Sequence, residues 1–227
     1  MYSYKELRPS NICTPRFRHL LLLLYWPIYG IVFYSVERLI KFDSYHSMYH
    51  PLDDLVPFCE WFLFPYLFWF AFLVGMLVYT LFWDVRSFKK YMWFIIITYS
   101  ITIVIYLVFP NMQELRITDV GRSNALIDFM HWYYDFDTNT NVCPSLHVIG
   151  SFAVLYASWN SKHFSGWAWR TVFFITTVLI SISTVFLKQH SVLDIPPAVV
   201  ISLLAMPVAT YLADRSQRSL RSQAKSE

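Results

Sequence analysis

Residues 188–213, KQHSVLDIPPAVVISLLAMPVATYLA, join a short polar segment to an apolar run that is long enough to cross a membrane. At about 1.5 Å per helical residue, residues 191–213 match a hydrocarbon layer about 30 Å thick. His190 and Asp194 stand at the start of this run, one helical turn apart. A histidine titrates near neutral pH and costs free energy when it is buried without a partner. We therefore expect the Asp194 carboxylate to lie beside the His190 imidazole.

Similar apolar runs occur along the whole chain. Of its 227 residues, 56% are hydrophobic, 20% are aromatic and only 15% are charged, whereas about a quarter of the residues in soluble domains are charged. This composition excludes an ordinary soluble domain and predicts an all-α fold, a polytopic membrane helical bundle with six transmembrane helices. Residues 1–227 are expected to form this single domain. The six helices are predicted at residues 18–37, 55–83, 91–110, 144–160, 167–187 and 191–213.

The basic residues indicate how the bundle is oriented. They precede the first helix, lie between the second and third and between the fourth and fifth, and follow the sixth: Lys5, Arg8, Arg16, Arg18, Arg86, Lys89, Lys90, Lys162, Arg170, Arg215, Arg218, Arg221 and Lys225. Because cytoplasmic loops are enriched in Lys and Arg, both termini are expected in the cytoplasm and the membrane is expected to be the plasma membrane. The polar segments at residues 143–147 and 188–194 then face outside.

Net charge and cysteine content narrow the classes of partner. The formal net charge of +3 is too small to suggest a nucleic-acid partner. Cys13, Cys59 and Cys143 lack the spacing of metal ligands or of a disulfide framework. No nucleic acid, metal ion or other cofactor is expected, and the oligomeric state stays open.

The second polar segment, Cys143-Pro144-Ser145-Leu146-His147, begins the predicted fourth helix. Phosphoryl transfer from a monoester requires an in-line nucleophile, donors or cations for the phosphate oxygens, and an acid for the departing alkoxide. His190 oriented by Asp194 fits the nucleophile, and His147 fits the acid. Ser145 either caps the helix or donates to a phosphate, and a helix N-terminus there favours an anion.

These motifs resemble those of the type 2 phosphatidic acid phosphatase superfamily, metal-independent lipid phosphatases and phosphotransferases with a six-helix core. The second family motif, Pro-Ser-Gly-His, is similar to residues 144–147. The third, Ser-Arg, five residues, His, three residues, Asp, is similar to residues 183–194. The specific likeness covers residues 110–200 and points to the branch related to inositol phosphorylceramide synthases and many bacterial membrane proteins. The resemblance implies that His190 is the nucleophile, Asp194 its orienting carboxylate and His147 the general acid.

Two departures from the family pattern concern the phosphate-binding cations. Thr184 stands where the family has the arginine of the third motif, and Lys188 is the nearest substitute. The first motif, Lys, six residues, Arg-Pro, has no clean copy, although Arg116 matches its arginine. The resemblance therefore implies Arg116, Ser145 and Lys188 as phosphate ligands, with Arg122 as a rival to Arg116.

The resemblance implies a metal-independent lipid phosphate phosphatase that acts through a phosphohistidine at the outer membrane face. Its partners would be a phosphorylated lipid substrate and the membrane lipids. Three alternatives stay open at this stage. They are a phosphotransferase that moves a phosphorylated head group to an alcohol such as inositol, a non-catalytic transporter or scaffold of the same fold, and a haem protein with His147 and His190 as axial ligands. A haem protein would absorb visible light, and a scaffold would bind lipid without turnover.

Several of these residues also have ordinary structural interpretations. Asp194 precedes two prolines, so it fits the N-cap of the sixth helix as well as the orienting carboxylate. Lys188 fits a side chain that extends along the membrane edge. Asp53 and Asp54 resemble a solvated turn, with Asp54 a candidate cap for the second helix. Residues 123–134 are predicted to form a short interfacial helix.

Overall fold

The computed structural model describes residues 2–223, and their side chains as far as Arg215. Helical residues, counted with the short 3₁₀ and π segments, make up 69% of the chain and strands 2%, which confirms the all-α fold. The helices are α1 (Tyr25–Tyr34), α2 (Leu52–Leu55), α3 (Leu63–Trp83), α4 (Val85–Val108), α5 (Ala125–Phe136), α6 (Leu146–Asn160), α7 (Trp167–Phe186) and α8 (Ile195–Gln223). Short strands β1 (His46–Ser47) and β2 (Asn111–Met112) pair in parallel.

Five helical segments of the described chain, not six, are long and apolar enough to span a membrane. They are Arg18–Leu39, Glu60–Trp83, Val85–Val108, Trp167–Phe186 and Val192–Arg215, and they indicate an integral membrane protein. The prediction of a sixth span at residues 144–160 was wrong because α6 has only 15 residues. A helix of that length covers about 22 Å, less than the hydrocarbon thickness of about 30 Å.

Helix α6 lies at the centre of the bundle, where α3, α4, α7 and α8 all contact it. Ten of its 15 residues are buried. Gly150 allows the closest approach, because a Cβ atom there would lie 2.8 Å from Trp69 Nε1 and 3.0 Å from the Tyr99 hydroxyl. The position of Trp69 beside the start of α6 therefore depends on a residue without a side chain.

The predicted boundaries of the second and third helices need correction. The second prediction, residues 55–83, is interrupted: α2 ends at Leu55, the backbone is extended at Val56, and the helical segment resumes at Glu60. Helix α4 begins at Val85 rather than at residue 91. Asp84 caps this helix by accepting hydrogen bonds from the backbone N–H and the hydroxyl of Ser87, at 3.1 and 2.8 Å.

The loops at the end of the bundle that carries residues 143–147 and 188–194 are tied to the helices. The pairing of β1 with β2 joins the α1–α2 connection to the segment after α4. Glu60 accepts hydrogen bonds from Arg122 and Asn124, so it ties the segment before α5 to the start of α3. Helix α5 confirms the helix predicted at residues 123–134, and the Asn124 side chain caps it.

Candidate active site

His190 and Asp194 form the closest pair of the site. His190 Nδ1 lies 2.8 Å from Asp194 Oδ2, and the two residues are 8% and 0% exposed. Asp194 Oδ2 also accepts a hydrogen bond of 3.1 Å from the backbone N–H of Ser191. Ser191, not Asp194, is the N-cap of the turn that leads into α8, and its hydroxyl accepts from the N–H of Leu193. The Asp194 carboxylate therefore supports the cap and contacts the imidazole at the same time.

The C-terminus of α7 presents His190 through a Schellman motif. Lys188 has a left-handed backbone with φ +53°, and its N–H donates to the carbonyl of Val185 at 3.0 Å. The N–H groups of Gln189 and His190 both donate to the carbonyl of Thr184, at 3.0 and 3.1 Å. The buried Thr184 hydroxyl donates to Ser181 O, so this side chain, which stands where the resembled motif has an arginine, is bonded to its own helix.

Asp53 anchors the segment that carries His190. This role of Asp53 was not predicted from the sequence. Its side chain is 0% exposed, so the prediction of a solvated turn was wrong for this residue. Asp53 Oδ2 accepts from the Ser191 hydroxyl at 2.7 Å and from the His50 N–H at 2.9 Å, and Oδ1 accepts from the Val192 N–H at 2.8 Å. Its partners in the turn before α8, Ser191 and Val192, are 138 and 139 residues away in the chain, which leaves no local signal in the sequence.

Residues 143–145 are held by a second set of hydrogen bonds. The Asn111 side chain accepts from the N–H of Cys143 at 2.8 Å and donates to its carbonyl at 2.9 Å. The Tyr106 hydroxyl donates to Pro144 O at 2.9 Å. Ser145 N–H donates to Asp194 O at 3.2 Å, which joins the two polar segments directly.

Ser145 is the N-cap residue of α6, but its hydroxyl makes no capping hydrogen bond to that helix. Instead, Ser145 Oγ lies 3.3 Å from His190 Nε2, and the residue is buried. The first-turn N–H groups of a helix without a side-chain cap favour a bound anion. Ser145 and the start of α6 are therefore placed to donate to a group bound at His190 Nε2.

His147 is packed between two aromatic rings. Its ring centroid lies 4.3 Å from those of Tyr66 and Trp69, and 5.9 Å from that of His190, with the two imidazoles nearly perpendicular. His147 Nε2 is buried and has no hydrogen-bond partner in the described part of the chain. The aromatic neighbours fix the ring and leave this nitrogen available to a ligand.

Both histidines line one cavity of about 740 Å³. Its apolar part lies between α1, α3 and α4 and includes Leu23, Trp26, Trp69, Leu73 and Leu77. Its polar part contains the two histidines with Gln189, Glu37, Asp137, Thr138, Thr140 and Asn141. A ligand with a long apolar chain and a polar end matches this division.

The cations implied by the resemblance have other partners. Arg116 donates its four terminal N–H groups to the carbonyls of Tyr134, Asp137 and Thr138 and to Gln189 Oε1, at 2.6 to 3.0 Å. Its buried Nε is unpartnered among residues 2–215. Burial lowers the pKa of this guanidinium. Arg116 therefore reaches the site through Gln189, the residue next to His190, and not as a free cation.

Lys188 and Arg122 are also committed to protein groups. Lys188 Nζ donates to the carbonyl of Asp53 at 2.6 Å, and burial lowers its pKa. Arg122 pairs with Glu60 at 2.6 Å. Neither residue lines the cavity. The structure thus brings His190, Asp194, Ser145 and His147 together, and it gives Arg116 and Lys188 roles in holding the surrounding segments.

No protein-family model, curated protein sequence or solved structure matches this chain. The function proposed below for this chain therefore rests on the geometry of the site together with the resemblance of residues 144–147 and 183–194 to the family motifs. Among the described residues, no group of three or more His, Cys, Asp or Glu side chains is placed to hold a metal ion.

Proposed function

We propose that this chain is a lipid phosphatase related to the type 2 phosphatidic acid phosphatases, in which His190 forms a phosphohistidine. The observation that carries this proposal is the chain of contacts from Asp194 through His190 to Ser145, with distances of 2.8 and 3.3 Å. His147 lines the same cavity as His190. This arrangement contains a nucleophile, its orienting carboxylate, a donor and a second titratable group at one end of an apolar cavity.

In the first step, a lone pair on His190 Nε2 forms a bond to phosphorus while the bond from phosphorus to the lipid oxygen breaks. Asp194 holds the proton on Nδ1, which keeps Nε2 free and offsets the positive charge that develops on the ring. Burial lowers the pKa of His147, so the ring takes up a proton when the phosphate anion binds beside it, and it then gives this proton to the departing alkoxide. The products are the free lipid alcohol and a phosphohistidine.

In the second step, water adds to phosphorus, His147 accepts a proton from that water, and the bond from His190 Nε2 to phosphorus breaks. Inorganic phosphate leaves, and the starting protonation states are restored. Transfer to an alcohol follows the same course, with the alcohol in place of water. Hydrolysis and transfer therefore share the phosphohistidine and differ in the acceptor alone.

Neutral donors supply most of the contacts to the phosphate oxygens in this proposal. The candidates are Ser145 Oγ, Gln189 Nε2 and the first-turn N–H groups of α6. Gln189 Nε2 is buried and has no protein partner in the described chain, while its Oε1 accepts from Arg116 at 2.9 Å. Arg116 thereby orients the Gln189 amide and adds positive charge one residue away from His190.

A phosphate-release assay in EDTA tests the proposal. Purified protein is offered phosphatidate, phosphatidylglycerol phosphate, polyprenyl pyrophosphate and phosphorylated sphingolipid precursors. His190→Ala should lower turnover by at least about 10³-fold, as expected when a covalent nucleophile is removed. His163→Ala, a change at an exposed histidine outside the cavity, is the matched control.

Trapping of acid-labile, base-stable phosphate on the wild-type protein, absent from His190→Ala, would support the covalent step. Near-normal turnover of His190→Ala, or activity that depends on added metal, would refute it. The distribution of basic residues supports a site on the outer face of the plasma membrane, with both termini in the cytoplasm. An impermeant thiol reagent applied to intact cells should label a Glu114→Cys variant if this orientation is correct.

A further inference from the structure

The polar part of the cavity carries two carboxylates and no Lys or Arg among the residues that line it. Glu37 lies at the end of the first membrane-spanning segment, and Asp137 directly follows α5. A cavity that bound only a phosphate anion would place that anion beside these two negative charges. Arg116 and Arg38 lie close enough to Asp137 to stabilise its charge from outside the lining, whereas the lining itself is acidic and favours a ligand with a positive group as well as a phosphate.

Several buried polar atoms that border this region lack partners in the described structure. Glu37 Oε2 accepts from the hydroxyls of Thr138 and Thr140, whereas its Oε1 has no hydrogen bond. Asn141 is 5% exposed, and neither atom of its side-chain amide makes a hydrogen bond of normal geometry, although the amide faces the Glu37 carboxylate. Two acceptors, Glu37 Oε1 and Asn141 Oδ1, are therefore available to the donors of a ligand.

Aromatic side chains share the cavity lining with the two carboxylates. Phe33, Tyr133 and Phe136 line the cavity together with Glu37 and Asp137. Aromatic faces and carboxylates are the groups with which proteins bind ammonium ions. Asp137 is also close enough to His190 for the charges of the two groups to interact, so the acidic region adjoins the phosphate position.

We propose that Glu37, Asp137 and Asn141 bind the primary ammonium group of a lipid whose phosphate lies beside His147 and His190 in the cavity that both line. The inference rests on the proposed function and names its substrate class, a zwitterionic lipid phosphate with an amino group near the phosphate. The ammonium donates to Glu37 Oε1 and Asn141 Oδ1. The phosphate oxygens accept from Gln189 Nε2 and Ser145 Oγ.

Burial raises the pKa of the Asp137 carboxyl, and a nearby ammonium would offset the cost of its ionised form. A primary ammonium is favoured over a methylated one because the free acceptors require N–H donors. The hydrocarbon chain of the lipid follows the apolar part of the cavity between α1, α3 and α4.

Binding to the His190→Ala variant tests the inference separately from turnover. Three long-chain alkyl phosphates are compared in detergent by calorimetry: one with an amino group on the second carbon, one without it, and one with a trimethylammonium group there. The amino compound should bind about tenfold more tightly than the other two, the ratio for one charge-assisted hydrogen-bonded contact.

A second substitution in the same background identifies the residues responsible. Glu37→Gln should abolish the preference for the amino compound, and Glu114→Gln, at an exposed glutamate outside the cavity, should keep it. Asp137→Asn should also reduce the preference, which covers the case in which Glu37→Gln does not fold. Thermal unfolding of each variant establishes that it is folded.

Equal binding of the three phosphates, or a preference that survives Glu37→Gln and Asp137→Asn, would overturn the inference. Stronger binding of the trimethylated compound would overturn the assignment of a primary ammonium. The proposed function is tested by a different measurement, turnover of the amine-free alkyl phosphate by the unaltered protein and its loss in His190→Ala. These two kinds of failure are therefore distinguishable.

Discussion

Replacement of Asp53 by Asn changes the acceptor that fixes the segment between His190 and Asp194. The carboxylate accepts three hydrogen bonds of 2.7 to 2.9 Å, from Ser191, Val192 and His50, in a fully buried position. Asn has the same shape but carries an NH₂ group in place of one oxygen. Whichever way the amide is turned, at least one backbone N–H loses its acceptor and meets a donor.

The magnitude follows from these contacts. A hydrogen bond to a charged group contributes about 1.5–3 kcal/mol, and an unsatisfied buried donor costs about 1–3 kcal/mol. One lost acceptor, together with weaker bonds to the remaining donors, gives an expected destabilisation of about 3 kcal/mol. For chains of this length, each kcal/mol of destabilisation lowers the unfolding temperature by about 2–4 °C, so Asp53→Asn should lower it by roughly 6–12 °C. Displacement of Ser191 also shifts Asp194 against His190, so kcat should fall by about 10²-fold.

The assay combines thermal unfolding in detergent with phosphate release. KM should change little because Asp53 does not line the cavity. Asp54→Asn is the matched control, since the adjacent carboxylate is exposed and accepts from the Tyr49 hydroxyl at 2.5 Å. It should alter stability by no more than about 0.5 kcal/mol. If Asp53→Asn matches Asp54→Asn in both unfolding temperature and kcat, Asp53 does not hold this segment.

Three further predictions concern Asp194, Gly150 and Lys188. Asp194→Asn should lower phosphate release by about 10²- to 10⁴-fold while the protein stays folded, because His190 loses the carboxylate charge that orients its ring. Unchanged release would exclude Asp194 as the orienting residue. Gly150→Ala should destabilise the protein by about 1–3 kcal/mol and lower activity, because the added Cβ meets Trp69 at 2.8 Å. Gly75→Ala, with nothing within 4 Å of the new Cβ, should be neutral or stabilising by up to about 1 kcal/mol in the same unfolding assay. Lys188→Gly should be about 1 kcal/mol more stable than Lys188→Ala and should unfold at a higher temperature, because both variants lose the ammonium group and only Gly is unstrained at φ +53°. Equal unfolding temperatures would show that residue 188 is not strained.

The sequence predicted which residues meet in the site better than it predicted what surrounds them. His190 and Asp194 are four residues apart, and although the segment forms a short 3₁₀ turn over Val192–Asp194 rather than the expected α-helical turn, this local turn is enough to bring them together. The resemblance, which matched residues 144–147 and 183–194 as separate motifs, assigned His147 and Ser145 to the same site as His190, and the structure added the contact of Ser145 with His190. Asp53, Asn111 and Gln189 carry no comparable pattern. Their roles arise from hydrogen bonds that cross between loops.

The cations show a different limit of sequence reasoning. Arg116 and Lys188 were expected at the phosphate because a cation near the motif is the family pattern. The structure gives their N–H groups to backbone carbonyls and to Gln189. Position along the chain places a basic residue near a site, but the direction of a long side chain depends on which acceptors the folded loops present.

The amino-acid sequence by itself determined the all-α class, the integral membrane character and most of the helices, because apolar runs of sufficient length have few other stable forms in a lipid bilayer. It also determined the pairing of His190 with Asp194, since that pairing is local. The tertiary structure alone decided that α6 is a short buried helix rather than a sixth span, that Asp53 holds the His190 segment, and that Glu37 and Asp137 line the same cavity as the histidines. These features join residues that are far apart in the chain, and the packing of helices and loops, not local periodicity, brings such residues into contact.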